Sequence, residues 1–255
     1  MNSTLRPILA FTALVATCSA TPSGLNNIPT ADTTPQKTFV LQGFTTLGED
    51  RDADFNFGFK TGLDAKYVKF ELGAASHIYP DRGGPVTVHG KVAIPFGKGL
   101  PTFAVGAANV AFSERQRERA GDVFGYVVLS QDFGWFRAHA GCAYQDSDAL
   151  PFFGLDKTFR VSITRAVSDG KTIHTVGQAG TGHGAGSGDP NAALETRDLF
   201  TIRADAIELR RHDWLFSAGV LVPVCKWFVM EAWGNFPGYG DEPSLTLKAN
   251  FVVNF

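Results

Sequence analysis

Residues 245–255, at the C-terminal end of the chain, read LTLKANFVVNF. Apolar and polar residues alternate along this stretch, and only Val252 breaks the pattern. A period of two is typical of a β-strand that has one apolar and one polar face. This strand raises the question of whether its apolar face contacts a protein core or lipid. That face carries Leu245, Leu247, Ala249, Phe251, Val253 and Phe255.

The same alternation returns along most of the chain after Thr38. For example, the stretch ADFNFGFKTG at 53–62 puts three phenylalanines on one face and Asp54, Asn56 and Lys60 on the other. Thirteen candidate strands can be counted, whereas a single-chain bacterial barrel needs an even number. The weakest candidates are Phe39–Thr46 and Lys171–Gln178. We therefore predict an all-β fold of about twelve antiparallel strands.

The composition excludes several classes of protein. The net charge is −2, which does not suggest a nucleic-acid partner. No apolar run of eighteen residues follows the N-terminal region, so no helical membrane span is expected. Charged residues make up 19% of the 255 residues and aromatic residues 12%, which suits either a soluble all-β protein or a transmembrane barrel.

The N-terminal region resembles a secretory signal peptide. One basic residue, Arg6, precedes an apolar stretch and then small residues, which predicts a signal peptide over 1–20 with cleavage after Ala20. An alternative is a lipobox at 15–18, in which Cys18 would be lipidated and become the first residue. Residues 21–37 are rich in Pro, Thr and Asn, and we expect a flexible periplasmic linker there, ahead of a barrel over 38–255.

The breaks between the strand-like runs differ in length. Short breaks are expected on the periplasmic side and longer polar ones on the extracellular side, as in outer-membrane barrels. The longer breaks are at 77–84, 113–121, 145–151 and 177–195, and the last contains the glycine-rich GTGHGAGSGD, which we expect to be a mobile extracellular loop. The charged stretch SERQRERAG at 113–121 is predicted to be a solvated loop that could contact lipopolysaccharide phosphates.

Three features favour lipid over a protein core as the partner of the apolar face. The polar faces carry charges in mid-strand, a soluble barrel of twelve strands would need an apolar filling, and most runs are long enough for a tilted membrane span. We therefore predict an antiparallel up-and-down transmembrane β-barrel. The alternative is a secreted or lipid-anchored soluble β protein that binds a partner or a glycan.

The mid-strand charges are the candidate lumen-lining residues. Such charges must pair or stay wet, so the interior is either cross-braced and largely blocked or a narrow pore with a weak preference for anions. The resulting expectation is a passive narrow pore or a structural component of the envelope. The candidates are Lys60, Lys69, Glu71, Lys91, Arg137, Asp156, Arg160, Arg203, Asp205, Glu231 and Lys248.

The last strand also resembles the C-terminal signal by which the bacterial outer-membrane assembly machinery recognises its barrel clients. Its apolar residues Phe251, Val253 and Phe255 carry the resemblance. The resemblance implies that the barrel assembly machinery is a partner and that the protein lies among outer-membrane lipids.

A narrower resemblance covers about residues 89–145. The stretch is similar to YjbH-type outer-membrane barrel proteins in three strands: Pro101, Ala104 and Gly106 in the first, residues 126–130 in the second, and Arg137, His139 and Gly141 in the third. In the second strand Gln131 follows where that family has Lys. The family is associated with exopolysaccharide export, so the resemblance implies an expected link to polysaccharide export.

No catalytic or metal-binding set stands out in the sequence. The six histidines do not pair with Glu or His at ligand spacing, and we interpret them as solvated or lumenal side chains. No G-x-S-x-G elbow occurs, and Cys142 and Cys225 lie in apolar runs rather than in a disulfide framework. We therefore predict that the protein is not an enzyme and has no cofactor.

Overall fold

The structure is a computed structural model that describes residues 22–48, 51–79, 82–168, 171–178, 193–209, 213–239 and 242–255. The predicted signal peptide and Cys18 lie outside the described residues. In the described part, no helix is long and apolar enough to cross a membrane.

The described residues form thirteen antiparallel strands and one short helix. The strands are β1 (Thr38–Gly48), β2 (Arg51–Asp64), β3 (Lys69–Tyr79), β4 (Arg82–Pro95), β5 (Thr102–Ala111), β6 (Phe124–Asp132), β7 (Arg137–Gln145), β8 (Asp148–Ser168), β9 (Lys171–Gln178), β10 (Ala193–Glu208), β11 (Trp214–Cys225), β12 (Phe228–Pro237) and β13 (Ser244–Asn254). The helix α1 spans Glu114–Ala120.

Twelve of these strands close into a barrel. β13 pairs with β1 from Thr38↔Asn254 to Leu47↔Leu245, and β10 pairs with β8, which completes the ring without β9. The prediction of about twelve barrel strands is confirmed. Of the two weak candidates, the first strand belongs to the ring, and Lys171–Gln178 is the strand outside it because it pairs with β8 beyond the end of β7.

The two ends of the barrel differ. We call the end with Thr38 and Asn254 the terminus end; its turns at 65–68, 96–101, 133–136 and 226–227 are short. The opposite end carries α1, which is capped by Ser113 where the sequence predicted an irregular loop at 113–121. The predicted long breaks at 77–84 and 145–151 are mostly strand. They are strand because polar residues can continue a ladder beyond the lipid. In the second break only Asp146 and Ser147 form the turn, with φ of 49° and 70°.

The strands that flank the predicted extracellular loop at 177–195 extend from the terminus end, the end that the predicted periplasmic linker would share. β7 begins at the terminus end with the pair Arg137↔Asp156, so the part of β8 after Asp156 extends beyond the ring at that end. β9 and the start of β10 pair with this extension. The connection between them, whose residues 179–192 lie outside the described part, therefore starts and ends at the terminus end.

The barrel is apolar outside and polar inside. Phe55 and Phe57 are 53% and 51% exposed, whereas Asn56 between them is 4% exposed. On β13, Leu247 is 40% exposed, whereas the next residue, Lys248, is 8% exposed. A soluble protein would turn these faces the other way, so the alternation is that of a membrane barrel and the soluble alternative is wrong.

One sector of the interior is apolar, which the sequence did not predict. β6 turns Phe124, Tyr126 and Val128 inward, and β8 turns Leu150 and Phe152 toward them. This apolar sector lines part of the inner wall. It gives the lumen a surface on which apolar side chains of another segment can pack.

Aromatic side chains gather at both ends of the outer surface. Near the terminus end, Phe251 lies 4.9 Å from Phe228 and 6.3 Å from Trp227 between ring centroids. Near the opposite end, Trp214 lies 5.8 Å from Phe153. This distribution fits the aromatic girdles that flank the apolar band of outer-membrane barrels.

Candidate functional site

The lumen contains the N-terminal segment, which we define as residues 22–37. Residues 23–30 form a hairpin in which Leu25 N donates to Ile28 O at 3.0 Å and Thr30 N donates to Ser23 O at 3.2 Å. Leu25 is 6% exposed and Ile28 is 2% exposed. The prediction of a flexible periplasmic linker therefore does not describe these residues, because the barrel wall supplies partners for them.

At one wall, the carboxylate of Glu71 on β3 holds both arms of the segment. It accepts the main-chain N–H groups of Ser23 and Thr34, each at 2.7 Å, and their hydroxyls at 2.5 and 2.8 Å. The ammonium of Lys91 lies 3.6 Å from the same carboxylate and donates to Ser23 O at 2.7 Å and to Thr30 O at 3.1 Å. Lys60 donates to the Ser23 hydroxyl at 3.0 Å.

At another wall, the tip of the hairpin contacts β10, β11 and β12. The carboxylate of Asp205 accepts the main-chain N–H of Asn26 at 2.9 Å and that of Asn27 at 3.4 Å. The amide of Asn27 donates to Asn235 Oδ1 at 2.7 Å and also to the hydroxyl of Ser217. β3 and β10 are six strands apart in the ring of twelve, so the hairpin spans the lumen.

Between the hairpin and Thr34, the segment contacts β6 and β7. Ala31 N donates to the hydroxyl of Ser130 at 2.9 Å, and Arg137 donates to both carboxylate oxygens of Asp32 at 2.7 Å. Burial raises the pKa of Asp32, whereas the adjacent guanidinium of Arg137, together with His139 and Lys91, lowers it, so that the pKa lies below its usual value of 3.8. About half of the Asp32 side chain (49%) remains exposed, so this contact lies at the edge of the site.

Two glycines allow the segment to approach the wall. A side chain at Gly62 on β2 would overlap the carbonyl oxygen of Thr34, and one at Gly154 on β8 would collide with the side chains of Leu25 and Ile28. Both positions therefore need glycine while the segment is docked. The apolar side chains of Leu25, Ile28 and Ala31 pack on the apolar sector of the wall.

A second charged cluster lies on β10, β12 and β13. Glu231 accepts from Arg203 at 2.6 Å and from the amide of Asn250 at 2.6 Å, and its carboxylate lies 3.7 Å from the ammonium of Lys248. Arg203 and Lys248 are 13% and 7% exposed at their side chains. The cluster cross-braces the strands, since buried charges need partners of opposite sign.

Most of the predicted lumen-lining residues lie inside the barrel. Two do not: Lys69 is at the terminus-end rim, 46% exposed, and Arg160 pairs with Asp198 on the exposed extension of β8 at 2.8 Å. Arg160 was misplaced because its alternation continues past the ring. The inward residues are Lys60, Glu71, Lys91, Arg137, Asp156, Arg203, Asp205, Glu231 and Lys248.

The docked segment leaves little room for water around these residues. A side chain that lines an open aqueous pore keeps part of its surface accessible, whereas Glu71 is 0% exposed and Lys91 is 2% exposed. The segment and the wall together therefore enclose these two side chains.

The structure also brings together three residues that the sequence did not reveal as a set. The hydroxyl of Ser130 lies 2.7 Å from His139 Nδ1, and His139 Nε2 lies 3.1 Å from Asp156 Oδ2. When His139 Nε2–H donates to the carboxylate of Asp156, Nδ1 carries no hydrogen and accepts a hydrogen bond from the Ser130 hydroxyl. The sequence signal that could have revealed this set is the alternation along β6 and β7, which turns Ser130 and His139 inward and places them opposite each other in register.

The Ser130–His139–Asp156 set, which we call the relay, resembles the nucleophile, base and acid of a catalytic triad, but its surroundings favour a structural role. Ser130 is 5% exposed and already accepts a hydrogen bond from Ala31 N. That N–H points at the hydroxyl oxygen within the peptide plane, whereas attack on a carbonyl carbon comes from above the plane. The relay therefore fixes the hydroxyl that receives the N-terminal segment.

No cluster of three metal-ligating side chains occurs in the described part of the chain. His89 is fully buried 4.0 Å from Glu71. His183 and His212, like the side chains of His77 and His174, lie outside the description. Cys142 and Cys225 are free thiols, as the sequence led us to expect.

No family model and no curated protein matches the sequence. Solved structures with a similar fold include the KdgM porin, with a TM-score of 0.50 at 5% identity over 83% of this chain and 98% of that chain. They also include the NanC porin (TM-score 0.46, 9% identity, 85% and 99% covered) and LpxR from Salmonella typhimurium (TM-score 0.41, 7% identity, 86% and 100% covered). At this identity the likeness to KdgM shows the fold alone. The chain has the closed twelve-stranded fold of a bacterial outer-membrane β-barrel.

Proposed function

We propose that the protein is a passive pore of the bacterial outer membrane with a narrow, charged lumen. The observation that carries the proposal is the polar interior inside an apolar exterior. Glu71, Lys91 and Asp205 are buried inside the ring, whereas Phe70 and Leu72 on either side of Glu71 are exposed on the outer surface. Interiors of this kind are found in barrels that conduct water and solutes.

The size of the ring supports a pore. Eight strands leave an interior that side chains fill, whereas sixteen to eighteen leave an aqueous channel. Twelve strands enclose enough space here for a hairpin of the chain itself. A ring that holds a peptide hairpin is wide enough for small polar solutes when the hairpin is elsewhere.

The charge of the wall gives little preference for ions of one sign. Among the nine predicted charges that the described part of the wall turns inward, five are basic and four are acidic, a difference of one. The predicted preference for anions rested partly on Lys69 and Arg160, which do not line the ring. We expect weak selectivity.

The pore is tested by recording single channels in planar bilayers. The full-length protein and a variant that lacks residues 22–36 are both purified in folded form. Stepwise conductance from either one supports the pore. Absence of conductance from both, when both show heat-modifiable migration, would overturn it.

A link to polysaccharide export is a finer proposal that rests on the resemblance of residues 89–145 to YjbH-type proteins. Two further partners are proposed on other features: the barrel assembly machinery on the C-terminal strand, and lipopolysaccharide on the charged stretch at 113–121. A strain that lacks the gene should then secrete less polysaccharide, and a normal amount would remove this link while leaving the pore intact.

A further inference from the structure

We propose that the lumen wall is a binding site for the protein's own N-terminal segment, and that this segment is a removable plug: the channel is closed when residues 22–37 are docked and open when they leave. The inference rests on the proposed pore function and adds its regulation. The occupant of the site is a peptide hairpin of defined sequence.

The contacts form a site for a peptide backbone. Carboxylates of the wall face main-chain N–H groups, as Glu71 does with Ser23 and Thr34. Lys91 faces two main-chain carbonyl oxygens. Acidic groups thus meet donors, and a basic group meets acceptors. A barrel whose lumen is filled only by its own side chains would not need wall charges that are complementary to main-chain N–H and carbonyl groups.

The wall is complementary to the N-terminal segment in shape as well as in charge. Gly62 and Gly154 leave the space that Thr34 and the side chains of Leu25 and Ile28 occupy. At Gly62 the three atoms nearest to an added Cβ all belong to the segment, and at Gly154 the two nearest do. Their small size is complementary to this ligand.

The segment can leave without opening the ring. Its ladder contact with the barrel is a single bridge between Gln36 and Gly62. The closing pair of strands starts after it, at Thr38↔Asn254. Phe255 N donates to Lys37 O at 3.1 Å, so the hinge lies just before the ring. Release therefore breaks side-chain contacts and leaves the twelve-stranded ladder intact.

The docked contacts are also of a kind that water can replace. Asp205 accepts two main-chain N–H groups of the hairpin tip. In an open lumen its carboxylate would be hydrated, which keeps the open state accessible. Glu71 also has a partner on the wall itself, since the ammonium of Lys91 lies 3.6 Å from its carboxylate.

A disulfide lock tests the plug. Asn27→Cys and Asn235→Cys replace side chains whose polar atoms are 2.7 Å apart, in a background without Cys142 and Cys225. The matched control joins two wall strands only, through Thr158→Cys and Thr201→Cys, whose parent hydroxyls are 2.9 Å apart. We expect the oxidised lock to stay closed and reduction to restore channel openings. Oxidation of the control should leave openings unchanged.

Deletion of residues 22–36 should raise the open probability by about tenfold or more, if the plug contributes at least the free energy of one strong charge-assisted contact. A synthetic peptide of residues 22–37 should close the deletion variant, whereas a scrambled peptide should not. The proposal is overturned if the full chain and the deletion variant conduct alike, or if the oxidised lock conducts as freely as its reduced form.

Peptide binding gives a readout that does not need conduction. A fluorescent peptide of residues 22–37 should bind the folded deletion variant, and Glu71→Gln with Asp205→Asn should weaken it by about tenfold. If neither barrel conducts but the peptide binds, the pore fails and the binding site stands as a purely structural plug. If the peptide does not bind, the site itself is refuted.

Discussion

Glu71 and Asp205 lie on opposite walls of the barrel, and each accepts main-chain N–H groups from the N-terminal segment. Glu71 holds the two arms at Ser23 and Thr34, and Asp205 holds the tip at Asn26 and Asn27. Two carboxylates on opposite walls thus fix one peptide. The barrel and its N-terminal segment therefore form one polar network rather than a barrel with a tail.

The first prediction concerns the buried cluster around Glu231. Glu231→Gln removes the carboxylate that Arg203 contacts at 2.6 Å and Lys248 at 3.7 Å. Because the cations stay buried, we expect the free energy of unfolding to fall by about 3 kcal/mol. Urea titration of the folded barrel, followed by its heat-modifiable migration, measures the change.

The control for this prediction is Lys69→Gln. Its partner Asp64 is 3.8 Å away, and their side chains are 46% and 35% exposed. An exposed pair of this kind contributes about 0–1 kcal/mol. Equal losses in the two variants would show that the Glu231 cluster does not brace the lumen.

The second prediction concerns Gly62. Gly62→Ala places a methyl group against the carbonyl oxygen of Thr34, so the N-terminal segment has to shift. A thiol at Ser217→Cys, beneath Asn27, should then react about tenfold faster with a water-soluble maleimide, as a loss of roughly 1.4 kcal/mol in docking implies. Gly43→Ala is the control, since its methyl group meets no atom within 4 Å. An unchanged rate in Gly62→Ala would contradict the tight approach.

The third prediction concerns Asp32 and pH. Arg137 keeps the pKa of Asp32 below 3.8, so the contribution of this pair is complete above 3.8 and is lost only as pH falls through the lower, docked pKa. This pair should therefore add no change in the mobility of a nitroxide at Thr33→Cys between about pH 8 and pH 5. Asp32→Asn should raise mobility throughout this range by a modest amount, because the half-exposed pair contributes at most about 1 kcal/mol. A wild-type transition near neutral pH that disappears in Asp32→Asn would refute the assignment.

The alternation of side chains predicted the barrel because the membrane imposes it on nearly every strand. Phe55, Asn56 and Phe57 have the faces that the sequence indicated. Strand ends were less predictable. Arg160 continues the same alternation on an extension outside the ring, where no lipid or lumen distinguishes its two faces.

The docked segment could not be predicted for a different reason. Residues 21–37 have no periodicity of their own, and their order comes from partners far away in sequence, such as Asp205 for Asn26. The charges that receive the segment were recognised as lumenal. What they bind was not visible, because one carboxylate can pair equally well with a cation, water or a main-chain N–H group.

The fourth prediction concerns the face that contacts lipid. Leu247 lies within β13 and is 40% exposed on the outer surface. Leu247→Arg should cost about 2–4 kcal/mol if this position is near the middle of the bilayer. The yield of folded, heat-modifiable protein in membranes should fall. Leu100→Arg, in the turn at 96–101 and 57% exposed, should be tolerated because the turn lies in water. Equal tolerance of both substitutions would argue against a lipid-facing β13.

The fifth prediction concerns the last residue. Phe255 N donates to Lys37 O, directly after the final pair Thr38↔Asn254 that closes the ring. Its side chain is 76% exposed at the terminus end, as an aromatic anchor or recognition group would be. Phe255→Asp or its deletion should reduce assembly into the outer membrane, because the same strand closes the barrel and carries the proposed assembly signal. Phe112→Asp is the matched control, since Phe112 is also 76% exposed but lies at the opposite end, outside the strands. Quantifying folded protein in outer-membrane fractions compares the two. If Phe255→Asp assembles as well as Phe112→Asp and the parent chain, the terminal aromatic residue has no special part in assembly.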